Sequence, residues 1–217
     1  NQQWEQEGFR PIIIEDKESN DARALLVIHD TSHPDVPEAL YDICINPCQA
    51  FGTGSHQTTR MILSQLLAMP IKNRIIVDAG TGTGILSIMC MMLGASEVLA
   101  YDIDEWSVRN AQSNLLLNGI ETGVNVLLGN SSVLTSFQHV SQSTASQKHP
   151  SLLIANINRN ILLADMQVFA QTLAEGGELL LSGFFTEDAP ILLAEASKYG
   201  LEPLLQREED NWCLLLL

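Results

Sequence analysis

The stretch "RIIVDAGTGTGILSI", residues 74–88, decides the fold of this chain. Its first part, "RIIVDAG" (74–80), is a short apolar run suited to a parallel strand buried on both faces. Gly80, Gly82 and Gly84 follow at alternate positions, and "ILSIMCMMLGA" (85–95) then reads as a helix. A strand that ends in glycines and passes at once into a helix offers backbone N–H groups to a ligand at its carboxyl end.

The same alternation continues outward. Strand "EVLAYDID" (97–104) precedes a helix over 105–118, "EWSVRNAQSNLLLN", closed by Gly119, and "VNVLLGN" (124–130) is a third strand. "SFQHVSQSTASQKHPS" (136–151) is rich in Ser and Gln without an apolar period and predicts a loop. Strand "LLIANI" (152–157), helix 160–174, strand "GELLLSG" (177–183), helix 186–199 and two strands near 202–206 and 212–217 complete the series. This order predicts an α/β chain with a doubly wound, mostly parallel sheet covered by helices on both faces. Before it, "RPIIIE", "ALLVIHD" and "YDICIN" predict a short β-rich lead-in over residues 1–50.

Composition narrows the partners. The 217 residues fit one domain with a small appendage, and 46% hydrophobic against 17% charged residues describes a globular chain. No run of eighteen apolar residues occurs and the polar start "NQQWEQEG" lacks a signal pattern, so a cytoplasmic location away from membranes is expected. A net charge of −15 leaves little material for a basic face, which argues against direct nucleic-acid contact and for a basic protein or a cationic small molecule. Cys44, Cys48, Cys90 and Cys213 read as reduced thiols, with Cys90 a small core residue. The C-x-x-x-C of the first two lacks a second ligand pair, so no metal is expected.

The glycine loop selects its ligand by what it lacks. A dinucleotide fingerprint calls for glycine where Ile85 stands, and no Gly-Lys-Ser/Thr follows to cradle phosphates. Asp78 sets a carboxylate beside the loop, which disfavours a pyrophosphate and favours a cationic group. Asp102, twenty-two residues after Gly80 at the end of the next strand, can accept hydrogen bonds from both hydroxyls of a ribose. A nucleoside with free ribose hydroxyls, no phosphate and a positive centre fits these conditions, and S-adenosylmethionine meets all three.

A second glycine-rich stretch, "NPCQAFGTGSHQTTR" (46–60), leads into the apolar helix "TTRMILSQLLAM". Phe51 through Gly54 can approach a ligand closely, and Ser55, Thr58 or Thr59 can cap the helix. Two such loops close together point to one ligand, with the first over its methionine end. His56 reads as a local hydrogen-bonding group of this loop. Together with "VDAGTGTGILSI", "AYDIDEWSVRNAQSN", "LLIANINRNILL" and the start "NQQWEQEGFRPII", it resembles the methyltransferases of large-subunit ribosomal protein eleven.

The resemblance spans nearly the whole chain and implies a class I, Rossmann-like methyltransferase domain with a seven-stranded sheet over 51–217. It implies S-adenosylmethionine as cofactor, Thr59, Gly80, Asp102 and Asn156 as its contacts, and a basic ribosomal protein as substrate. Asp78 and Gly82 join that set from the loop reading. It also implies a separate substrate-recognition domain ahead of the linker at the start of this sequence, without which the target amine is expected to be methylated poorly.

Asn156 ends the fourth strand, where the acceptor meets the methyl group, and is the expected catalytic residue. Enzymes that methylate planar nitrogens resemble one another in an Asn-Pro-Pro-aromatic sequence, whereas Ile157, Asn158 and Arg159 follow here. The missing ring favours an aliphatic amine, a lysine side chain or an amino terminus. Ser131 is placed to approach adenine, Trp4, Trp106 and Trp212 read as packing residues, and "EED" (208–210) reads as a solvated turn. Alternatives are a methyltransferase for another protein or a small amine, a nucleotide-dependent oxidoreductase, and a cofactor-binding module without catalysis.

Overall fold

The structure is a computed structural model that describes residues 11–15, 24–32, 35–46, 57–135 and 149–217. Trp4, Cys48, the first glycine loop with Ser55 and His56, and the loop expected from 136 (through residue 148) lie outside the described residues.

Seven strands form the main sheet: β4 (Ile75–Ala79), β5 (Glu97–Asp102), β6 (Val124–Leu128), β7 (Leu152–Asn156), β8 (Glu178–Phe185), β9 (Leu205–Glu209) and β10 (Trp212–Leu216). Their order is β6-β5-β4-β7-β8-β10-β9, and β10 runs antiparallel to both neighbours. The chain winds outward from β4 through β5 to β6, then returns to β7 on the other side of β4. The switch in direction therefore falls between β4 and β7, where the outgoing loops part and leave room for a ligand.

Alternation along the strands builds two cores. Ile76, Leu152, Ile154, Leu180, Leu214 and Leu216 point into one, while Val77, Leu153, Ala155, Leu179, Leu181 and Leu215 point into the other. On the first face, α1 (Gln57–Leu67) contributes Ile62 and Leu66, and α2 (Ile85–Met92) contributes Ile88 and Met89. On the second face, α4 (Arg159–Thr172) contributes Leu162, Met166 and Phe169, and α5 (Ala189–Ser197) contributes Leu192 and Ala196. Between them in sequence comes α3 (Glu105–Leu117), whose first turn is capped by Asp104 accepting from Trp106 and Ser107 N–H groups.

The lead-in forms its own three-stranded sheet of β1 (Ile12–Glu15), β2 (Ala24–His29) and β3 (Ala39–Cys44). It is not a loose appendage, because Leu26, Ile28, Ile43 and Ile45 are buried in the same core as α1 and α2.

The C-terminal expectations shift in three places. β9 begins at Leu205 and not at 202, because Pro203 has no N–H to give a ladder. "EED" is not the turn: Glu208 and Glu209 pair with β10, and Asp210 and Asn211, both at positive φ, make the two-residue reversal. The helix expected over 186–199 divides into a 3-10 turn, Thr186–Asp188, and α5, with Pro190 in its first turn.

Candidate active site

The glycine loop between β4 and α2 is folded by its own backbone. Gly80 and Thr81 both donate to the Tyr101 carbonyl at 2.9 and 3.0 Å, and Gly84 donates to the Thr81 carbonyl at 2.9 Å. Gly80 holds φ +72°, and a side chain there would collide with Ile157 Cγ2. That position therefore requires glycine twice over, once for conformation and once for space.

Asp78 lies beneath this loop. It is buried, and its Oδ2 accepts from Thr81 Oγ1 at 2.7 Å and Ser87 Oγ at 2.6 Å. Burial pushes its carboxyl above the usual range, and the two hydroxyls pull the other way. Its second oxygen, Oδ1, has no protein partner among the described residues.

Asp102 ends β5 beside the loop. One carboxylate oxygen accepts from Gly82 N at 3.0 Å and the other from Asp104 N at 3.0 Å. Two backbone donors thus fix the carboxylate and leave lone pairs for a diol.

Asn156 ends β7 across the cleft, in register with Ser182. Its Nδ2 donates to Thr59 Oγ1 at 3.2 Å, which ties β7 to the first turn of α1. Nothing among the described residues donates to its Oδ1, so the carboxamide presents an acceptor. The next residue, Ile157, is gripped from both sides. Gly80 lies against its side chain, and Gly183 of β8, at φ +90°, lies so close that an added Cβ would sit 2.5 Å from the Ile157 carbonyl oxygen.

These groups surround a cleft of about 570 Å³ at the carboxyl ends of β4, β5 and β7, a size that accommodates a nucleoside-sized ligand. Thr59, Gly80, Gly82, Asp102 and Asn156 all border it, while Asp78 supports it from behind. Ser131 also borders it, hydrogen-bonded to Asp165 of α4 at 2.7 Å. Apolar cover comes from Ile103, Ile157 and Ile161.

Several participants carried no signal in the sequence. Tyr101 borders the cleft with only 4% exposure, and its hydroxyl has no protein partner among the described residues. Burial holds the phenol protonated well above its ordinary range, which makes it a standing donor. Asn110 and Asn114 of α3 and Asn118 at its C-terminal cap form a ladder. Asn114 donates to the Thr83 carbonyl at 2.9 Å and accepts from Asn46 N at 2.8 Å, and Asn118 receives Cys44 N at 2.9 Å. The ladder joins the glycine loop to the end of the lead-in sheet. Trp212, expected in packing, does pack against the first core, and it also borders the cleft.

The orphan Tyr101 hydroxyl, the orphan Asp78 oxygen and the side-chain-free surface of Gly80 and Gly82 fit a nucleoside bearing a cationic centre. With the strand order and the fixed Asp102 carboxylate, they define a class I S-adenosylmethionine-dependent methyltransferase domain. The profile of the family described as ribosomal protein L11 methyltransferase, PrmA, matches residues 3–217. A ribosomal protein L11 methyltransferase of Bacteroides fragilis is 43% identical over 213 residues, 98% of this chain and 69% of that protein. One of Porphyromonas gingivalis is 43% identical over 215 residues, 99% of this chain and 68% of that protein. The crystal structure of a ribosomal protein L11 methylase from Lactobacillus delbrueckii subsp. bulgaricus superposes with a TM-score of 0.76 at 28% identity, covering 88% of this chain and 93% of that one. The chain belongs to the ribosomal protein L11 methyltransferase family, which sets aside the oxidoreductase alternative. Among the described residues no helix is long and apolar enough to cross a membrane, and no cluster of His, Cys, Asp and Glu could hold a metal ion.

Proposed function

We propose that this chain transfers methyl groups from S-adenosylmethionine to amino groups of ribosomal protein L11, on lysine side chains, the amino terminus or both. The observation that carries the assignment to an amine is the Asn156–Thr59 hydrogen bond, with no aromatic platform in the Ile157-Asn158-Arg159 sequence that follows β7. Thr59, Gly80, Gly82 and Asp102 hold the cofactor, with Asp102 on the ribose and the buried Asp78 behind the loop toward the amino-acid part. Tyr101 donates to the adenine ring, and Ser131 with Asp165 closes that end of the cleft.

S-adenosylmethionine, when bound, supplies an electrophilic methyl group on a sulfonium. The residues must then present a neutral amine in line with the methyl–sulfur bond. A free lysine, of pKa about 10.4, is neutral only about once in a thousand at pH 7.4, a cost of roughly 4 kcal/mol. Withdrawal from water beside Ile157 lowers that cost by disfavouring the charged form. Asn156 Oδ1 accepts an N–H of the amine and so directs its lone pair at the methyl carbon. Thr59, Gly80, Gly82 and Asp102 would hold the sulfonium, whose methyl the amine would take up as the C–S electron pair returned to sulfur, and the amine's surplus proton would leave to water. The rest of the acceleration comes from position.

A net charge of −15 supports a basic protein as partner. The test is Asn156→Ala, measured by calorimetric affinity for S-adenosylhomocysteine and by turnover. Turnover should fall about 100-fold or more while affinity changes by a few-fold, because the interaction matters in the transition state. Equal losses in both would recast Asn156 as a binding residue.

A further inference from the structure

The edge of the lead-in sheet is closed by side chains. β3 stands at the edge of the order β1-β2-β3, and its pairing with β2 continues past Cys44, since Ile45 N donates to the His29 carbonyl at 2.8 Å. The Ile45 side chain is buried in the first core. Cys44 and Asn46, on either side of it, turn their backbone groups the other way, toward α3. There Asn118 donates to the Cys44 carbonyl at 2.6 Å and accepts from its N–H at 2.9 Å. Asn114 accepts from the Asn46 N–H at 2.8 Å, and Asn110 donates to the Asn46 carbonyl at 3.1 Å. Four residues of helix rise about 6 Å and two residues of strand about 6.6 Å, so one amide per turn keeps step with every second residue of the segment.

Asn114 also reaches the other way. It is fully buried, and its Nδ2 donates to the Thr83 carbonyl of the glycine loop at 2.9 Å. The N–H of that same peptide unit, on Gly84, donates to the Thr81 carbonyl at 2.9 Å. The Thr83–Gly84 peptide is thus pinned at both ends. Gly84 holds φ +80°, and an added Cβ would stand 3.1 Å from Ala111 Cα and Cβ, so helix and loop are in contact beside the bond. Asparagine is a poor helix former, and a buried amide returns little net energy. What such a column supplies is register between the segments it joins.

We propose that Asn114 is a positioning residue for the cofactor, locking the glycine loop to the lead-in sheet so that sheet and cofactor stabilise each other. The inference rests on the S-adenosylmethionine reading of the cleft. The connection runs from Asn46 through Asn114 to the Thr83–Gly84 peptide and on to Gly82, whose N–H holds the Asp102 carboxylate at 3.0 Å. A loop free to rotate that peptide withdraws the Gly82 N–H and lets the carboxylate turn away from the ribose. Coupling between sites is commonly about 5–150-fold in affinity, and it is reciprocal. The cofactor therefore tightens the hold on Asn46 as much as that hold tightens the cofactor.

Two measurements test this. In the first, calorimetry gives the affinity for S-adenosylhomocysteine of the parent, Asn114→Ala and Asn118→Ala. Both variants lose bonds to the lead-in segment, but Asn118 bonds to Cys44 and to its own helix, and so controls for structural damage. Asn114→Ala should bind at least about five-fold more weakly than Asn118→Ala, the lower end of ordinary coupling. A smaller difference overturns the proposal.

In the second, amide hydrogen exchange at Asn46 is followed with and without saturating S-adenosylhomocysteine. The ligand should slow it about five-fold or more in the parent. Asn114→Asp keeps an acceptor for the Asn46 N–H and removes the donor to the Thr83 carbonyl, so there the slowing should be lost. Less slowing than this in the parent, or undiminished slowing in Asn114→Asp, overturns the proposal. Should an alanine variant fail to fold, the exchange measurement still decides. If the parent itself binds no S-adenosylhomocysteine, the cofactor reading falls and the proposal with it; where the parent binds, the proposal stands or falls alone.

Discussion

Replacing Gly183 with alanine should disable the chemistry while leaving the cofactor bound. Gly183 lies at φ +90° on β8, and an added Cβ would stand 2.5 Å from the carbonyl oxygen, 2.8 Å from the nitrogen and 2.9 Å from the carbonyl carbon of Ile157. All three are backbone atoms, so no side-chain rotation relieves the contact. Ordinary contact begins at 3.4 Å, and the Ile157 carbonyl must therefore retreat by about 0.9 Å. That movement carries Asn156, the preceding residue, away from the methyl-transfer line. A displacement near 1 Å at a reacting group costs on the order of 100-fold in rate. The positive φ adds roughly 1–3 kcal/mol of strain for a residue with a side chain, so the melting temperature should fall as well. Gly82, in the loop after β4, and Asp102, at the end of β5, lie across the cleft, and affinity for S-adenosylhomocysteine should stay within about five-fold, under about 1 kcal/mol. Calorimetry and initial rates of methyl incorporation give the two quantities. A folded Gly183→Ala protein with turnover within three-fold of the parent would refute the idea that β8 positions Asn156 through Ile157.

Further outcomes follow from other parts of the site. Asp102→Ala should weaken S-adenosylmethionine binding by about 1.5–3 kcal/mol, as for hydrogen bonds to a charged acceptor, and an unchanged titration would remove the ribose assignment. Asn114→Ala removes the carboxamide that pairs the Thr83 carbonyl and the Asn46 N–H, and should cost roughly 1–3 kcal/mol of stability in urea unfolding; a loss below about 0.5 kcal/mol would mean that the ladder contributes little. Asp78 titrates above its ordinary range because it is buried, so its protonated form favours the fold below the unfolded pKa of about 3.9, and that contribution is lost as pH rises through the folded value. The stability of the parent minus that of Asp78→Asn should therefore decline between pH 4 and neutrality, and a difference that grows with pH would reverse the sign assigned here.

What could be read from the sequence was what neighbouring positions decide. Gly80, Gly82 and Asp102 announce themselves because each stands at a strand end, at a spacing the βαβ unit fixes. Asn156 is legible for the same reason, as the end of the next strand after the switch. Gly183 is different: it looks like an ordinary strand glycine until β7 and β8 are set in register and Ile157 falls against it. Trp212 and Phe185 are 27 positions apart and meet only because β10 turns back beside β8. The Asn ladder has helical spacing on α3, yet its partners at 44–46 and 83 lie on other elements. Proximity in sequence sets Asp78 beside the ligand, whereas strand alternation sends its side chain beneath the loop, onto Thr81 and Ser87. Contacts set by pairing between distant segments leave no mark in a single sequence.

The proposed work of this cleft is the delivery of methyl groups to aliphatic amines of a ribosomal protein. Incubating the chain with S-adenosylmethionine and ribosomal protein L11, then locating the added methyl groups by tandem mass spectrometry, tests it most directly. Methylation should be confined to lysine side-chain nitrogens or the terminal amine, and should be lost in Asn156→Ala. Methyl groups on glutamine, arginine or carboxyl oxygen, or undiminished methylation in Asn156→Ala, would contradict it.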